Sequence, residues 1–473
     1  MHGFEGGAPL DETSHSTGPW WKELNRYHWF VLIVAALGWL FDTMDQQLFN
    51  LARKPAMEEL LAVANQTPEQ LKELVGFYGP LATSIFMIGW ATGGLIFGVL
   101  GDRVGRAKVM LWTILIYSIC TGLSAFSVGF WDFAAYRFLT GLGVGGEFAV
   151  GVSLVAEVMP TKARPFALGL LQALSAVGNV SAALMNIGLG LAESGGHLEN
   201  AAGETPIKAW RILFLIGTAP ALLAILIRRS LKEPDTWKAQ AVGGGAKQLG
   251  SFTELFGDPR WRKNAIVGLL MASSGIIGLW GIGFFSFELL SPVFKKHFAD
   301  QGLAPNVVSG KVATWIGIAS VMQNIGGFLG IYAYSHVTHI IGRKPAFAIS
   351  YVAAMLSTAM VFWNLDQFSE VFWMLPIMGF CQLALFGGYA IYFPELFPTR
   401  LRSTGISFCY NVGRYVAAVG PFALGMLTSQ VFSTANGYTE GIRYAGVTMC
   451  SIFLLGLVVL PFAPETKGQP LPE

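Results

Sequence analysis

The sequence predicts an all-α membrane protein of twelve transmembrane helices, built as two parallel six-helix repeats. Three observations carry that prediction: the composition, the number of long apolar runs, and a signature that occurs twice. Apolar residues make up 53% of the 473-residue chain and charged residues 13%, with a mean hydropathy of +0.52, a balance suited to lipid rather than water. Crossing about 30 Å of hydrocarbon takes roughly 20 helical residues, and about twelve runs approach that length. Glu157, Pro160, Thr161 and Arg164 recur as Glu395, Pro398, Thr399 and Arg402, an offset of 395 − 157 = 238 residues. The turn Gly105-Arg106 recurs as Gly342-Arg343, 342 − 105 = 237 residues later. Two landmarks with nearly one lag indicate a duplicated multi-helix unit.

Taken in order, residues 1–28 form a polar, cytoplasmic N-terminal segment. It lacks the short apolar core and small-residue cleavage site of a signal peptide, so the first span is expected to act as its own insertion signal. The first bundle, 29–227, holds runs at 29–51, 75–100, 109–128, 132–159, 166–191 and 209–227. Residues 228–263 contain Gly243-Gly244-Gly245 and eight Lys or Arg, and read as a polar cytoplasmic connector. The second bundle, 264–462, holds runs at 264–290, 312–338, 345–363, 371–393, 403–431 and 444–462, and 463–473 is a cytoplasmic tail.

Orientation follows from the basic loops, because Lys and Arg stay on the cytoplasmic side. Arg103, Arg106 and Lys108, then Lys162 and Arg164, the connector, Arg343 and Lys344, and Arg400 and Arg402 all fall on one side. With that side cytoplasmic, about twenty Lys and Arg are internal and about nine external, which places both termini inside a plasma (inner) membrane.

Several function classes are excluded. A net charge of +2 and the absence of any basic run interleaved with aromatics leave no basis for nucleic-acid binding. Cys120, Cys381, Cys409 and Cys450 all sit in apolar runs, so no disulfide is expected. Gly141-x-Gly143-x-x-Gly146 fits a dinucleotide fingerprint but lies mid-span rather than between a strand and a helix start, so its glycines are read as helix-contact points. There is no His-Glu-x-x-His, Cys-x-x-Cys, Gly-x-Ser-x-Gly or phosphate-loop element. The chain is therefore read as a non-enzyme with no metal and no cofactor, working as a monomer.

Charges inside spans are the sharper clue, since each is costly unless it faces a cavity or a partner. By helix rise, Asp42 lies about 20 Å past Trp29, Glu147 about 20 Å before Pro160, and Arg414 about 18 Å past Arg402. All three share the midplane. Asp42 and Glu147 belong to the first half and Arg414 to the second, an arrangement suited to a site between two halves that rock around it. Arg414 is the candidate anion anchor, because a guanidinium keeps its charge and offers a two-pronged fork to a carboxylate. Glu147, assisted by Asp42 and by Asp45 on the same helix face, is the candidate proton carrier. Internal pairing of Glu147 with Arg137, or of Asp42 with Arg414, is the competing structural reading. Gln382, Asn179, Trp280 and Asn411 are further substrate-binding candidates, alongside Gln323, Asn324, Phe284 and Phe285; each is also compatible with helix packing.

Gly98-x-x-x-Asp102-Arg103-x-Gly105-Arg106-x-Lys108 resembles the hallmark loop of the major facilitator superfamily. Arg137-x-x-x-Gly141-x-Gly143-x-Gly145 resembles that superfamily's fourth-helix motif, and Pro464-Glu465-Thr466-Lys467-Gly468 its ending in sugar and organic-acid porters. Asp42-x-x-Asp45, and Arg137 followed by Glu157, are similar to the proton-coupled aromatic-acid symporters; Gly145-Gly146-Glu147 is similar to sialic-acid and metabolite symporters. The resemblance implies alternating access. Asp102, Arg103, Arg106, Glu157, Arg164, Glu395 and Arg402, at helix ends and turns, are read as gating clusters, and Arg137, near the outer end of its span, as a gate or a helix-helix strut. The second hallmark loop departs from the pattern, with His339 and Ile340 in place of the Asp-Arg pair, so an asymmetric gate is expected. The expected activity is proton-coupled symport of a small organic anion across the lipid bilayer. A neutral sugar or zwitterion porter, and a receptor that binds without transport, are the alternatives.

Overall fold

A computed structural model describes residues 19–63, 67–194, 208–242, 249–282, 286–303, 305–417, 427, 431–432 and 438–472. The described residues contain helices and no strand. The first half comprises α1 (Arg26–Leu60), α2 (Pro68–Val104), α3 (Arg106–Ser124), α4 (Phe130–Val158), α5 (Arg164–Ser194), and α6 (Ala209–Ile216) continued by α7 (Ala221–Ser230). Two short helices follow, α8 (Asp235–Val242) and α9 (Phe252–Gly257). The second half comprises α10 (Pro259–Ile276), α11 (Ser286–Ala299), α12 (Pro305–Ile341), α13 (Arg343–Asn364), α14 (Val371–Leu396), α15 (Arg402–Ala417), α16 (Tyr438–Met449) and α17 (Ile452–Val459).

Among the described residues, ten helices are long and apolar enough to cross a membrane. The sixth span is α6–α7, broken at 217–220 where Pro220 brings no N–H to a continuous ladder. The eleventh is α15, described as far as Ala417. With these two the fold is the twelve-helix architecture the sequence predicts.

Local signals explain the starts and turns. Asn25 caps α1 by accepting from the His28 N–H at 2.8 Å, and Thr67 with Gln70 makes the same reciprocal box at α2, ahead of Pro68. One residue separates α2 from α3 and α12 from α13. Those residues are Gly105 (φ 120°) and Gly342 (φ 95°), in backbone conformations that a Cβ would strain. Predicted limits differ where charge is buried rather than solvated: α3 begins at Arg106, not at 109, because Arg106 is fully buried among partners. The connector is more structured than a polar linker, carrying α8 and α9; its Gly243-Gly244-Gly245 run lies outside the described residues.

The duplication extends to packing. In the first half, Cβ atoms added at Gly141 and Gly145 of α4 would collide with the Phe86 and Trp90 carbonyls of α2; in the second, Gly326, Gly330 and Gly379 bring α12 and α14 together against the carbonyls of Pro376, Phe380 and Gln323. The fingerprint-like glycine run is thus a contact surface between backbones. At the opposite end from the hallmark loop, Arg211 donates to the Ala125 and Ser127 carbonyls at 2.6 and 3.1 Å, and Arg443 donates to Trp363 and Leu365 at 2.8 and 2.7 Å. Each arginine ties the sixth span of its half to the turn after the third. The halves meet along two seams, α2 with α15 and α5 with α12.

Candidate functional site

Between the two seams lies a cavity lined by both halves. Trp39, Thr43, Gln46, Gln172, Ser175 and Asn179 come from the first; Trp280, Gln323, Asn324, Phe386, Tyr410 and Arg414 come from the second. Asn179 reaches across to Asn324 at 2.9 Å, and the Trp280 ring meets Trp90 edge-on at 5.8 Å. Phe284 and Phe285 lie outside the described residues.

Arg414 is 2% exposed and carries the cavity's positive charge. Its Nη1 donates to the Tyr410 carbonyl at 3.0 Å and to Asn411 Oδ1 at 2.8 Å, while its guanidinium lies over the rings of Trp90 (4.0 Å) and Tyr410 (4.4 Å). Its Nε meets no acceptor among the described residues. Both bonds use one nitrogen, which leaves the Nε–Nη2 edge as the geometry for a bidentate anion. Asn411 does not line the cavity; it supports Arg414 from behind.

Asp42 and Glu147 are buried to 1% exposure, and none of their four carboxylate oxygens has a hydrogen-bond partner among the described residues. Asp42 is within electrostatic reach of Glu147, Asp45 and Arg414. Neither acid lines the cavity, which corrects the expectation of three charges meeting in one chamber. The reason is helical phase. Trp39, Thr43 and Gln46 occupy the stripe of α1 that faces the cavity, and Gly38, Asp42 and Asp45 occupy the neighbouring stripe, turned into the first half. Gly38 makes the room: a Cβ there would collide with the Glu147 carboxylate, beside Met110 of α3.

Three other residues are placed by their partners. Asp45 accepts from Thr121 Oγ1 at 2.6 Å and faces Arg137 at 3.6 Å, so it is engaged where Asp42 is not. Arg137 also donates to Ser124 Oγ at 2.8 Å and lies 4.7 Å over the Phe214 ring. All its partners belong to the first half, so it is a strut within that half and not a contact between halves. Gln382 donates to Thr358 Oγ1 at 2.7 Å inside the second half, away from the cavity.

At the hallmark-loop end the halves are locked together. Asp102 accepts from the backbone N–H groups of Ser403 (3.1 Å) and Thr404 (2.8 Å) and from Thr404 Oγ1 (2.6 Å), and pairs with Arg106 at 2.9 Å. Its charge thus sits at the start of α15, where a helix favours an anion. Glu157 accepts from Arg106 at 3.0 Å and, across the seam, from Arg402 at 2.8 Å; Arg106 also donates to the Thr399 carbonyl at 2.7 Å. Arg103 donates to the Leu249 carbonyl, and Trp237 to that of Asp102, so the connector braces the same corner.

The matching corner of the second half is built differently. Glu395 is held by Arg343 at 2.7 Å and by Thr466 at 2.6 Å, both in its own half. Arg164 donates to Ala156 at 2.9 Å within the first half, and His339, in the place of Asp102, lies 5.3 Å from the Phe166 ring across the second seam. One seam is closed by buried ion pairs and the other by rings.

Glu465 caps α13, accepting from the N–H groups of Arg343 (2.9 Å) and Lys344 (3.0 Å), as well as from Thr466 and Lys467. Partial burial pushes its carboxyl up, but the four N–H donors outweigh this and hold it below the usual glutamate range. A depressed folded value stabilises docking above the ordinary glutamate pKa and loses that contribution as pH falls through the folded value. Protease nicking of the tail is therefore expected to rise in acid, and Glu465→Gln to show at neutral pH the nicking that the wild type shows only in acid.

Trp90, Trp39, Gln46, Gln172 and Tyr410 were not singled out by the sequence. Gln172, a lone amide mid-span, carried a usable signal; the aromatics, common in any span, did not.

The model of a family described as "Sugar (and other) transporter" matches residues 54–242. A putative metabolite transport protein of Haemophilus influenzae is 29% identical over 456 residues, covering 95% of this chain and 99% of that one. The cis,cis-muconate transport protein of Acinetobacter baylyi is 28% identical, covering 82% and 85%. Among solved structures, the proton:xylose symporter XylE with 6-bromo-6-deoxy-D-glucose bound shares the fold at a TM-score of 0.71 and 16% identity, covering 94% of this chain and 98% of that one. Read with the twelve-helix fold, the hallmark loop and the inter-half cavity, these likenesses relate the chain to multi-pass membrane transporters and give it the fold of the major facilitator superfamily.

Proposed function

We propose that the protein is a proton-coupled symporter of a small organic anion, most simply a carboxylate, working by alternating access. The single observation that carries the reading is Arg414: a buried guanidinium in the cavity wall whose Nε meets no acceptor, and which bonds no carboxylate, among the described residues. The muconate carrier among the relatives supports the same substrate class. Glu147 and Asp42, buried behind the cavity without hydrogen-bond partners among the described residues, are the proposed proton carriers, since a proton removes the cost of an unpaired buried charge. Asp45 and Arg137 support them from within the first half. The hallmark-loop end is proposed to be cytoplasmic, with both termini inside the plasma membrane, and Asp102, Arg106, Glu157 and Arg402 as its gate.

In proteoliposomes, an inward proton gradient is expected to drive uphill uptake of a carboxylate from a panel; uptake indifferent to the gradient rejects symport, and binding without flux favours the receptor. Arg414→Lys keeps the charge but loses the fork and much of the stacking. Its KM for the transported carboxylate is expected to rise about 10- to 100-fold, and an unchanged KM would remove the anchor assignment.

A further inference from the structure

The α2–α15 seam runs without interruption from the gate to the anchor. Starting at the hallmark-loop end, Asp102 holds Ser403 and Thr404. Cβ atoms added at Gly101, Gly98 and Gly94 would then press in turn on Ser403, Ser407 and Asn411. The next turn brings Trp90 over the Arg414 guanidinium at 4.0 Å. Each step is about one helical turn, so latch and anchor are roughly 18 Å apart on the same two helices.

The contacts that hold Arg414 divide by origin. The Tyr410 carbonyl and ring belong to α15 and travel with the arginine. The others depend on the first half: Trp90 is on α2, and Asn411, which bonds Arg414, is itself steadied by the Gly145 carbonyl of α4 at 3.4 Å. Phe148 of α4 also stacks on Tyr410 at 4.2 Å. Packed helices move as rigid bodies between discrete arrangements. Parting α2 and α4 from α15 at the gate therefore withdraws the Trp90 face and the Asn411 support together.

We propose that Trp90 and Asn411 are positioning residues that hold the Arg414 fork only while the hallmark-loop end is shut, so that opening that end loosens the anion's anchor. The proposal rests on the reading of Arg414 as an anion anchor. The physical basis is preorganisation: an arginine stacked and bonded in place has already lost its rotamer freedom, and an anion then binds without that cost. Released from the first half, Arg414 regains that freedom and its grip weakens on the side where the anion must leave.

The test reads Trp90 directly, without a substrate. 5-Fluorotryptophan placed at position 90 in nanodisc-embedded protein is followed by fluorine NMR. Arg414→Ala gives the resonance of a Trp90 without its cation. Gly98→Leu, which wedges the seam at Ser407 whatever the latch does, is expected to move the wild-type resonance to that position, and Asp102→Asn to move it in the same direction. If Gly98→Leu leaves the resonance at the wild-type position, the proposal is overturned. In a second arm benzoate is the probe: Asn411→Ala is expected to raise its Kd about tenfold in the latched protein and less than about twofold in a Gly98→Leu background. Equal losses in both backgrounds would also overturn the proposal. Benzoate that binds no variant counts against the anion-anchor reading, and the resonance arm decides the positioning claim separately.

Discussion

Asp102→Asn is expected to swing the resting population toward the state open at the hallmark-loop end, by about a hundredfold or more. The carboxylate serves three donors of the opposite half and one guanidinium, all buried. An amide keeps the shape but turns an NH2 group toward at least one of those donors, and it leaves Glu157 as the carboxylate still bonded to Arg106. Removing one partner of a buried ion pair costs about 3–5 kcal/mol, and the part of that cost specific to the closed state appears as a population shift. The measurement is labelling of Ser407→Cys by a membrane-impermeant maleimide added from the hallmark-loop side, with and without Asp102→Asn. Ser407 is fully buried in the seam, so faster labelling reports its opening. Identical rates in the two backgrounds would mean that Asp102 is not a latch.

Glu147→Gln is expected to separate exchange from accumulation. One pH unit across the membrane is worth 1.36 kcal/mol per coupled proton, enough for up to about tenfold accumulation by a one-proton symporter. The amide is isosteric and permanently neutral, so it mimics the protonated carrier and leaves Gly38 and Met110 undisturbed. Counterflow of labelled substrate should continue, while accumulation under a pH gradient collapses to equilibration. Asp42→Asn, measured beside it, tells which acid carries the proton: if only the Asp42 variant loses accumulation, the roles are reversed, and if neither does, the pair is not the coupling site. A carrier behind the cavity wall rather than in it also fits the burial of both acids, which have no hydrogen-bond partner among the described residues. The proton and the anion then never share a hydrogen bond, and they communicate through the field at Asp42, which senses both Glu147 and Arg414.

Much of the architecture was legible from the chain alone, and for a plain reason. Lipid forces backbone groups to pair within each segment, so span number follows from runs of apolar residues, and duplication follows from Glu157 and Glu395 with their neighbours. The cluster at the hallmark-loop end was legible in type: Asp102, Arg106, Glu157 and Arg402 stand at helix ends where clusters of charge were expected, and they bond one another there. Arg414 stood out because an arginine at mid-depth requires a cavity or a partner. The asymmetry between Asp102 and His339 was also visible as a break in the repeat, and the two corners are indeed closed by different chemistry.

What the tertiary structure alone decided is which face of each helix meets which neighbour. Asp42 and Asp45 are three residues apart and Glu147 shares their depth, yet a turn of α1 by one stripe separates acids that look into the first half from Trp39, Thr43 and Gln46, which look into the cavity. Gln382 shares mid-depth with Asn179, which lines the cavity, yet bonds Thr358 instead. Arg137, for which gate and strut were both open, finds Asp45 and Ser124 in its own half. Depth is a property of position along one helix, readable from the rise per residue. Direction depends on how two helices rotate against each other, and that is fixed by packing glycines such as Gly38, Gly94 and Gly145, whose partners lie dozens to hundreds of residues away.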